Sequence, residues 1–255
     1  MQGGAPAGTP HVDGLDGSAL AAMAGVPRVA LHAALPTTMD EAHRLAQDGA
    51  PDGTVVIADQ QTSGRGRLGR LWQSHSHRGL WMTIVARDVA ATGLDVLSLR
   101  IGLALARALD QFAETPVGLK WPNDLFVGGQ KLAGILVEAR WRQSALEWAA
   151  VGIGINLDAP ADQPGAAALR AGASRAAVFA AIASPVRAAC RVGGELTTAE
   201  VDAFAGRDIA RGRRLVEPTR GVANGITAAG ALVVQAGSGE ELFRQGSLVF
   251  ETEVR

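Results

Sequence analysis

Two lysines that lie close together are the residues most suited to chemistry in this sequence. Lysine and arginine together number 24, yet only Lys120 and Lys131 are lysines. Lysine carries a compact charge on a flexible stem, whereas arginine presents a planar fork. In an arginine-rich chain, the two lysines therefore mark positions that arginine does not fill. Their concentration in the segment 120–131 predicts a site that neutralises phosphate or carboxylate.

The segment around these lysines combines several side chains that bind ligands. Lys120–Asp124 reads K-W-P-N-D, which is a cation, an aromatic ring, a rigid proline, an amide and a carboxylate in succession. A predicted hairpin returns Lys131 to the same place, and Gly134 lets a ligand approach the strand closely. The amide and the carboxylate can bind polar groups or coordinate a hard cation. The alternatives are that Trp121 packs in the core and that the lysine and the aspartate form a surface ion pair.

A second candidate is the glycine–arginine loop Gly64–Arg70, with the sequence G-R-G-R-L-G-R. Its glycines fit the dinucleotide pattern G-x-G-x-x-G, but the chain continues into a polar turn instead of the apolar helix of a Rossmann fold. The Walker A pattern also fails, because Arg70 and Leu71 stand where Lys and Ser/Thr belong. Its glycines permit tight turns, and Arg65, Arg67 and Arg70 place three positive charges on the loop. We interpret the loop as an anion receptor; the alternative is a solvated loop paired with carboxylates.

The segment Val151–Leu157, V-G-I-G-I-N-L, is predicted to be a central strand whose glycines leave room on one face. Asn156 at its end is a candidate ligand for a metal or a phosphate. Cys190 lies in an alanine-rich helix and is expected in the core. His75 and His77 are two residues apart, a spacing that a pair of metal ligands could have, but no third ligand is evident. We expect both histidines in an exposed loop.

Composition excludes several classes of protein. Hydrophobic residues make up 47% and charged residues 19%, which suits a packed core and excludes wholesale disorder. A net charge of −1 argues against a strongly basic DNA-binding surface. A single cysteine excludes a disulfide scaffold and suits a reducing cytoplasm. No apolar run approaches the roughly 20 residues that span a bilayer, and the N-terminus lacks the features of a secretory signal.

Hydrophobic periodicity and turn residues predict the elements that position these motifs. A helix over 39–48 is predicted from a capping box at Thr38 and Glu41 and a stop at Gly49. Further strands are predicted at Thr54–Ala58, Gly79–Val85, Val117–Trp121, Asp124–Val127, Leu132–Arg140 and Trp148–Leu157, and further helices at Asp95–Glu114 (capped by Asp95), Ser174–Val192 (interrupted near Pro185) and Thr198–Ala205. After about residue 206, short β-like runs alternate with glycine turns and predict a small antiparallel barrel.

In their order and spacing, the loop 64–70 and the motifs K-W-P-N-D, K-L-A-G-I-L and G-I-G-I-N resemble those of biotin protein ligases. The resemblance runs from about Val29 to the C-terminus. It implies an α+β fold: a catalytic domain like those of class II aminoacyl-tRNA synthetases and biotin/lipoyl ligases, with helices packed on a mixed sheet, and then an SH3-like β-barrel. We predict a flexible leader at 1–25 that includes a weak helix around Ser18–Ala24, a biotin- and ATP-binding catalytic domain at 26–205 and the barrel at 206–255. Because only 36 residues precede Thr37 and they are not basic, we expect a monofunctional ligase without the N-terminal DNA-binding domain of some members.

The resemblance implies a reaction in two steps. Biotin and MgATP form biotinyl-5′-AMP and pyrophosphate, and a lysine on the biotin carboxyl carrier domain of an acetyl-CoA, acyl-CoA or pyruvate carboxylase then receives the biotinyl group. No covalent enzyme nucleophile is needed, because positive charge and positioning supply the catalysis. We expect a cytoplasmic monomer or weak homodimer that binds neither DNA nor membrane. The alternatives are a lipoate or octanoate ligase on the same core and a non-catalytic biotin-binding module.

The resemblance also implies roles for individual residues. Lys131 is expected between the biotin carboxylate and the α-phosphate, and with Arg67 and Asp124 it forms the predicted catalytic set. The predicted biotin-binding residues are Thr37, Thr38, Gln61, Arg65, Gly66, Arg67, Lys131 and Gly134. The predicted nucleotide-binding residues are Arg65, Arg67, Arg70, Trp72 (on adenine), Lys120, Asn123, Asp124 and Asn156. The predicted Mg²⁺ ligands are Asn123, Asp124 and Asn156.

Overall fold

Two β-sheets organise the chain, one of seven strands and one of five. The structure is a computed structural model that describes residues 10–74, 77–158, 165–237 and 239–251. The larger sheet consists of β1 (Val29–Leu35), β2 (Val55–Gln61), β3 (Gly79–Ala86), β4 (Gly118–Lys120), β5 (Asp124–Val127), β6 (Gln130–Arg142) and β7 (Ala145–Asn156). The helices are α1 (Gly17–Ala24), α2 (Thr38–Gln47), α3 (Leu97–Leu109), α4 (Arg175–Cys190) and α5 (Thr198–Ala205). The smaller sheet consists of β8 (Arg214–Glu217), β9 (Gly221–Ile226), β10 (Leu232–Ala236), β11 (Gly239–Phe243) and β12 (Val249–Phe250).

The larger sheet is mixed, which confirms the predicted fold class. Its strand order is β1-β2-β3-β7-β6-β5-β4, with β1 parallel to β2 and the other neighbours antiparallel. The register places Gly134 of β6 opposite Gly154 of β7, and Asp124 of β5 opposite Gly134. The motifs that the sequence analysis singled out on three strands therefore meet at one place on the sheet.

Helices cover both faces of this sheet. Val55 and Ile57 of β2 point into the main core, which α3 and α4 complete. Val56 points to the opposite face, where it packs with Leu45 of α2 and with Trp148 of β7. Because side chains alternate across a strand, a strand covered on both faces is apolar at every position. This explains the continuous V-V-I-A run at the start of β2.

The start of α2 differs by one residue from the predicted capping box. Thr37, not Thr38, caps the helix, and its Oγ1 accepts a hydrogen bond from the backbone N–H of Met39 at 3.2 Å. Glu41 binds Arg44 instead of reaching back to the cap. The shift frees the Thr38 hydroxyl, which points into the cavity described below.

Two other helix predictions are corrected. A short 3₁₀ helix, Ala91–Val96, precedes α3, so Asp95 lies inside that turn and does not cap α3. Helix α4 continues through Pro185 without interruption. Proline removes one backbone donor, but the buried Phe179 and Ile182 anchor the helix in the core on the N-terminal side of the proline. Tertiary packing thus outweighs the local helix-breaking tendency.

The described part of the predicted flexible leader is ordered, which corrects the prediction for residues 10–25; residues 1–9 lie outside the described residues. Helix α1 confirms the weak helix expected around Ser18–Ala24. Val12 and Leu20 are buried, and α1 lies against α4. The carboxylate of Asp13 accepts hydrogen bonds from the Ser174 hydroxyl at 2.7 Å and from the Ala176 N–H at 2.8 Å. These contacts tie the segment to the start of α4.

The smaller sheet follows the predicted run of short β-strands. Its order is β11-β10-β9-β8-β12, and all its neighbours are antiparallel. The sheet confirms the predicted C-terminal β module, whereas the boundary between 205 and 206 stays a prediction. Among the described residues, no helix has both the length and the apolar character needed to cross a membrane.

Cys190 is expected to resist alkylation in the folded protein. Burial at the end of α4 raises the pKa of its thiol to about 12. Only about one thiol in 10⁴ is then ionised at pH 8, and the thiolate is the reactive form. Iodoacetamide labelling followed by mass spectrometry is expected to leave the folded protein unmodified and to label it fully in guanidinium chloride. Rapid labelling of the folded protein at pH 8 would contradict the burial of this residue.

Candidate active site

A cavity of about 210 Å³ lies between the larger sheet, the glycine–arginine loop and a turn of the smaller sheet. It is lined by nearly all of the predicted site residues: Thr37, Thr38, Gln61, Arg65, Gly66, Arg67, Arg70, Trp72, Lys120, Asn123, Asp124, Lys131 and Gly134. The exception is Asn156, which does not line it. The turn 246–249 adds a wall from the smaller sheet. Residues far apart in sequence therefore converge on one space.

A hydrogen-bonded polar network forms one end of the cavity. The Gln61 Oε1 accepts from the backbone N–H of Thr38 at 2.8 Å and from its hydroxyl at 3.1 Å. The Thr38 hydroxyl also contacts the Thr83 hydroxyl at 2.8 Å, and the Gln61 Nε2 donates to the Ser74 hydroxyl at 3.0 Å. Donors and acceptors alternate here, which suits a small polar ring with both N–H and C=O groups.

Sequence reasoning missed Thr83 and Ser74 as members of this network. Thr83 is fully buried in the middle of β3, whose sequence is G-L-W-M-T-I-V-A. It is the one polar side chain of that strand. Buried hydroxyls need a partner, so this lone threonine in an apolar strand was a signal for a polar contact.

Lys131 and Asp124 form an ion pair inside the cavity. The Lys131 Nζ lies 2.7 Å from the Asp124 Oδ1 and 5.2 Å from the centre of the Trp72 ring. The backbone of Lys131 is held by hydrogen bonds with Gly165 and Ala167. The backbone is thus held in place, while the half-exposed ammonium group offers a positive charge that a ligand can reach.

Trp72 fills the space that the glycines leave on the sheet. A Cβ atom on Gly154 would lie 2.6 Å from the Trp72 Cε2, and a Cβ atom on Gly134 would lie 2.9 Å from its Cζ3. The indole also meets Trp81 edge-on, with ring centres 6.2 Å apart. Its Nε1 is buried and has no acceptor among the described residues. The position of the indole against the sheet therefore requires glycine at both places.

The three arginines of the loop point in different directions. Arg67 enters the cavity, where its Nη1 lies 3.4 Å from the Asn123 Oδ1. Burial lowers the pKa of the Arg67 guanidinium, and the negative charge of Asp124 opposes that shift. Arg70 reaches the smaller sheet and donates to the Ser247 hydroxyl at 2.8 Å. Arg65 lies at the rim of the cavity, where it meets carboxylates.

Lys120 lies at the junction of the two sheets. Its Nζ is 4.7 Å from the centre of the Phe250 ring and 5.5 Å from that of Phe126. These cation–π contacts hold the ammonium group at the cavity wall. Trp121, next in the chain, is buried and donates from Nε1 to the Gly230 carbonyl at 3.0 Å, so its alternative interpretation as a core residue is confirmed.

The three predicted Mg²⁺ ligands do not form a preformed metal site. The Asn156 Nδ2 points to the Lys131 backbone carbonyl at 3.4 Å. Asn123 donates to the Ile135 carbonyl at 2.8 Å, and Asp124 is already neutralised by the lysine. Within the described ranges, no cluster of three or more His, Cys, Asp or Glu could hold a metal. Mg²⁺ usually needs one or two free carboxylates together with substrate phosphates, so these residues do not fit a resident magnesium.

The predicted histidine pair is described only in part. His77 is 73% exposed, in agreement with the expected exposed loop, and its Nδ1 lies 3.0 Å from the Asp59 carboxylate. The other oxygen of Asp59 accepts from Arg175 at 2.6 Å. His75 lies outside the described residues.

The comparisons with protein families and curated relatives agree with one another. The model of the biotin/lipoate A/B protein ligase family matches residues 32–156. The biotin–[acetyl-CoA-carboxylase] ligase of Paracoccus denitrificans is 31% identical over 235 residues, which cover 84% of this chain and 97% of that protein. The bifunctional ligase/repressor BirA of Bacillus subtilis strain 168 is 38% identical over 128 residues, which cover 50% of this chain and 39% of BirA. The chain thus matches less than half the length of several curated relatives, BirA among them.

Solved structures share the fold. A biotin protein ligase from Aquifex aeolicus in complex with biotin and ATP matches with a TM-score of 0.68 at 24% identity, over 88% of this chain and 99% of that chain. A biotin protein ligase from Leishmania major in complex with biotinyl-5-AMP matches with a TM-score of 0.60 at 23% identity, over 85% of this chain and 98% of that chain.

Proposed function

The chain belongs to the biotin/lipoate A/B protein ligase family, and we propose that it is a biotin protein ligase that makes biotinyl-5′-AMP and transfers the biotinyl group to a carrier lysine. One observation carries the proposal. Two cations, Lys131 and Arg67, share a cavity with the Thr38–Gln61 network. The arrangement suits a ligand with a polar ring at one end and a carboxylate at the other.

In the first step, a carboxylate oxygen of biotin attacks the α-phosphorus of ATP. The bond between that phosphorus and the β-phosphate oxygen breaks, and pyrophosphate leaves. The two reacting groups are both anionic, so their approach needs fixed positive charge in a site with little water. Lys131 and Arg67 supply that charge, and the buried position of Arg67 strengthens its field.

In the second step, the neutral amine of a carrier lysine attacks the acyl carbon of biotinyl-5′-AMP. The bond between the acyl carbon and the phosphate oxygen breaks, AMP leaves, and the nitrogen loses a proton. Asp124 lies 2.7 Å from Lys131 in the free protein. When Lys131 turns to the ligand, Asp124 is free to bind the incoming amine and accept its proton.

The polar network favours biotin over lipoate. The ureido ring of biotin has N–H donors and a C=O acceptor that match the Thr38 and Gln61 side chains, whereas the dithiolane ring of lipoate has neither. A site built to hydrogen-bond a substrate strongly rejects an analogue that lacks the group. ATP-dependent labelling of a carrier domain is expected with biotin and not with lipoate. Labelling with lipoate alone would overturn the choice of substrate.

The acceptor is a biotin carboxyl carrier domain of an acetyl-CoA, acyl-CoA or pyruvate carboxylase, and the enzyme works in the cytoplasm as a monomer or weak homodimer. Trp72 stacks on adenine, where an aromatic face gives affinity with little directional demand. Mg²⁺ enters as the companion of ATP and not as a resident ion.

Arg67→Gly is expected to release biotinyl-5′-AMP into solution. The substitution removes the guanidinium that enters the cavity beside Asn123, and with it a charge-assisted contact to the phosphate worth about 1.5–3 kcal/mol. Free adenylate, measured by mass spectrometry after rapid filtration, is expected to rise about tenfold or more. Arg44→Gly, which removes an exposed arginine outside the cavity, is the matched control. An unchanged level of free adenylate would show that Arg67 does not hold the phosphate.

A further inference from the structure

Two aromatic rings, one from each sheet, contact the ammonium group of Lys120. The Nζ lies 4.7 Å from the centre of the Phe250 ring in β12 and 5.5 Å from the centre of the Phe126 ring in β5. Both distances are within the roughly 6 Å over which the negative face of a ring attracts a cation. Lys120 also lines the cavity. A ring of the smaller sheet therefore lies beside a cation of the candidate active site.

The Phe250 ring is fixed in the smaller sheet. Phe250 is only 1% exposed, and its backbone pairs with Leu215 of β8. Arg213 covers the ring, with its Cζ 3.3 Å from the ring centre. The backbone of Arg213 is itself held, because its carbonyl accepts a hydrogen bond from the Ala223 N–H at 3.0 Å. A buried ring held in this way can set the position of a lysine side chain, which is flexible.

The backbone of Lys120 is fixed at the edge of the larger sheet, but its side chain is long. Lys120 lies opposite Asp124 of β5. On the other side of β4, the Leu119 N–H donates to the Arg207 carbonyl at 2.8 Å, and the Leu119 carbonyl accepts from the Ile209 N–H at 3.0 Å. A lysine side chain loses rotamer entropy when a ligand orders it. Rings that order the ammonium group in the free protein reduce that cost at the moment of binding.

We propose that Phe250 is a positioning residue that holds the Lys120 ammonium group, through the face of its ring, where it meets the phosphates of ATP. Phe250 does not line the cavity, so it acts on the ligand only through the lysine. The ring acts by its electron density as well as by its volume, and an aliphatic side chain of similar size supplies only the volume. The effect on ATP rests on the proposed ligase function, whereas the position of Lys120 in the free protein does not.

Lysine labelled with carbon-13 at Cε reports the position of Lys120 in the free protein. The chain contains only two lysines, so the NMR spectrum holds two Cε–Hε signals, which the Lys120→Arg variant assigns. The face of an aromatic ring shifts nearby protons upfield. Phe250→Leu is expected to remove most of the upfield shift of the Lys120 signal and to leave the Lys131 signal unchanged.

Phe243→Leu is the matched control for this spectrum. It removes the other aromatic ring of the smaller sheet, which lies beside no cation in the part of the chain that the structure describes. The control is expected to leave both lysine signals where they are. A Lys120 signal that is the same in Phe250→Leu, in the control and in the unchanged protein would overturn the proposal.

Fluorinated phenylalanines at position 250 separate the electrons of the ring from its volume. Each fluorine withdraws electron density from the ring face and weakens its attraction for a cation, while the size of the ring changes little. With mono-, di- and trifluorinated rings, the KM for ATP is expected to rise in steps to about fivefold. The KM for biotin and kcat are expected to stay within about twofold.

The same series distinguishes positioning from a contact that only joins the two sheets. A purely structural contact would lower the temperature of thermal unfolding and leave the KM for ATP unchanged along the series, and that result would overturn the role of Phe250 in ATP binding. Absence of ligase activity in the unchanged protein would instead contradict the proposed function, and the lysine spectrum would then decide on the position of Lys120.

Discussion

Lys131→Ala is expected to lower the rate of biotinyl-5′-AMP formation about 10³-fold and to leave the fold intact. The ammonium group is the proposed link between two anions, and no other described lysine lies at the junction of β5 and β6. Its side chain is 37% exposed and contributes nothing to the core. The rate is measured by quenched-flow detection of the adenylate. Circular dichroism and thermal unfolding serve as the controls for the fold.

Lys131→Arg tests whether the shape of the cation matters as well as its charge. It keeps the charge but replaces the compact ammonium group beside Trp72 with a planar fork of different reach and hydrogen-bond geometry. A loss of about 10²-fold is expected, although the charge is conserved. An adenylation rate within about twofold of the unchanged protein, in either the alanine or the arginine variant, would show that Lys131 does not stand between the reacting groups.

Gly154→Ala is expected to lower kcat/KM for biotin about 30-fold. The new methyl group would lie 2.6 Å from the Trp72 ring. Strand β7 is hydrogen-bonded between β3 and β6, so its backbone cannot shift to make room. The Trp72 indole must therefore be displaced. Overpacking of this kind costs about 1–3 kcal/mol. Steady-state kinetics give the loss, and a red shift of tryptophan fluorescence reports the displaced indole.

Gly206→Ala is the control for this experiment. A Cβ atom at Gly206 would meet no atom closer than the Asp202 carbonyl oxygen at 3.6 Å, an ordinary contact. The control is expected to keep kcat/KM within about twofold. Normal kinetics and normal fluorescence of Gly154→Ala would contradict the close packing of Trp72 against Gly154.

The convergence of the candidate residues on one cavity follows from the sequence more readily than the details of the elements around it. The β5–β6 hairpin brings together Lys131, Asp124 and Gly134. A hairpin and the alternation of side chains along a strand are both local patterns in the sequence. Glycine and arginine types alone also predict the loop as an anion receptor, and Arg65, Arg67 and Arg70 line the cavity. A sequence pattern does not give the direction of each side chain. The three arginines of the loop, for example, contact different partners.

The errors arise where long-range packing decides a local choice. Thr37 and Thr38 are both good capping residues, and the hydrogen bond of Thr38 to Gln61, 23 positions away, selects the cap. Residues 10–25 show little periodicity, yet contacts between Asp13 and the start of α4 order them. Pro185 is tolerated because α4 is anchored in the core. The strand-end position of Asn156 predicts a ligand contact, which stays a prediction; its Nδ2 lies 3.4 Å from the Lys131 carbonyl.

Biotin-dependent exchange of pyrophosphate into ATP is the most direct test of the proposal that cations from two segments join biotin to a nucleotide. The purified protein is expected to incorporate labelled pyrophosphate into ATP only when biotin is present, and biotinyl-5′-AMP is expected in the reaction mixture. Lipoate in place of biotin is expected to give no exchange. The absence of exchange with biotin, together with no detectable adenylate, would contradict the proposed function.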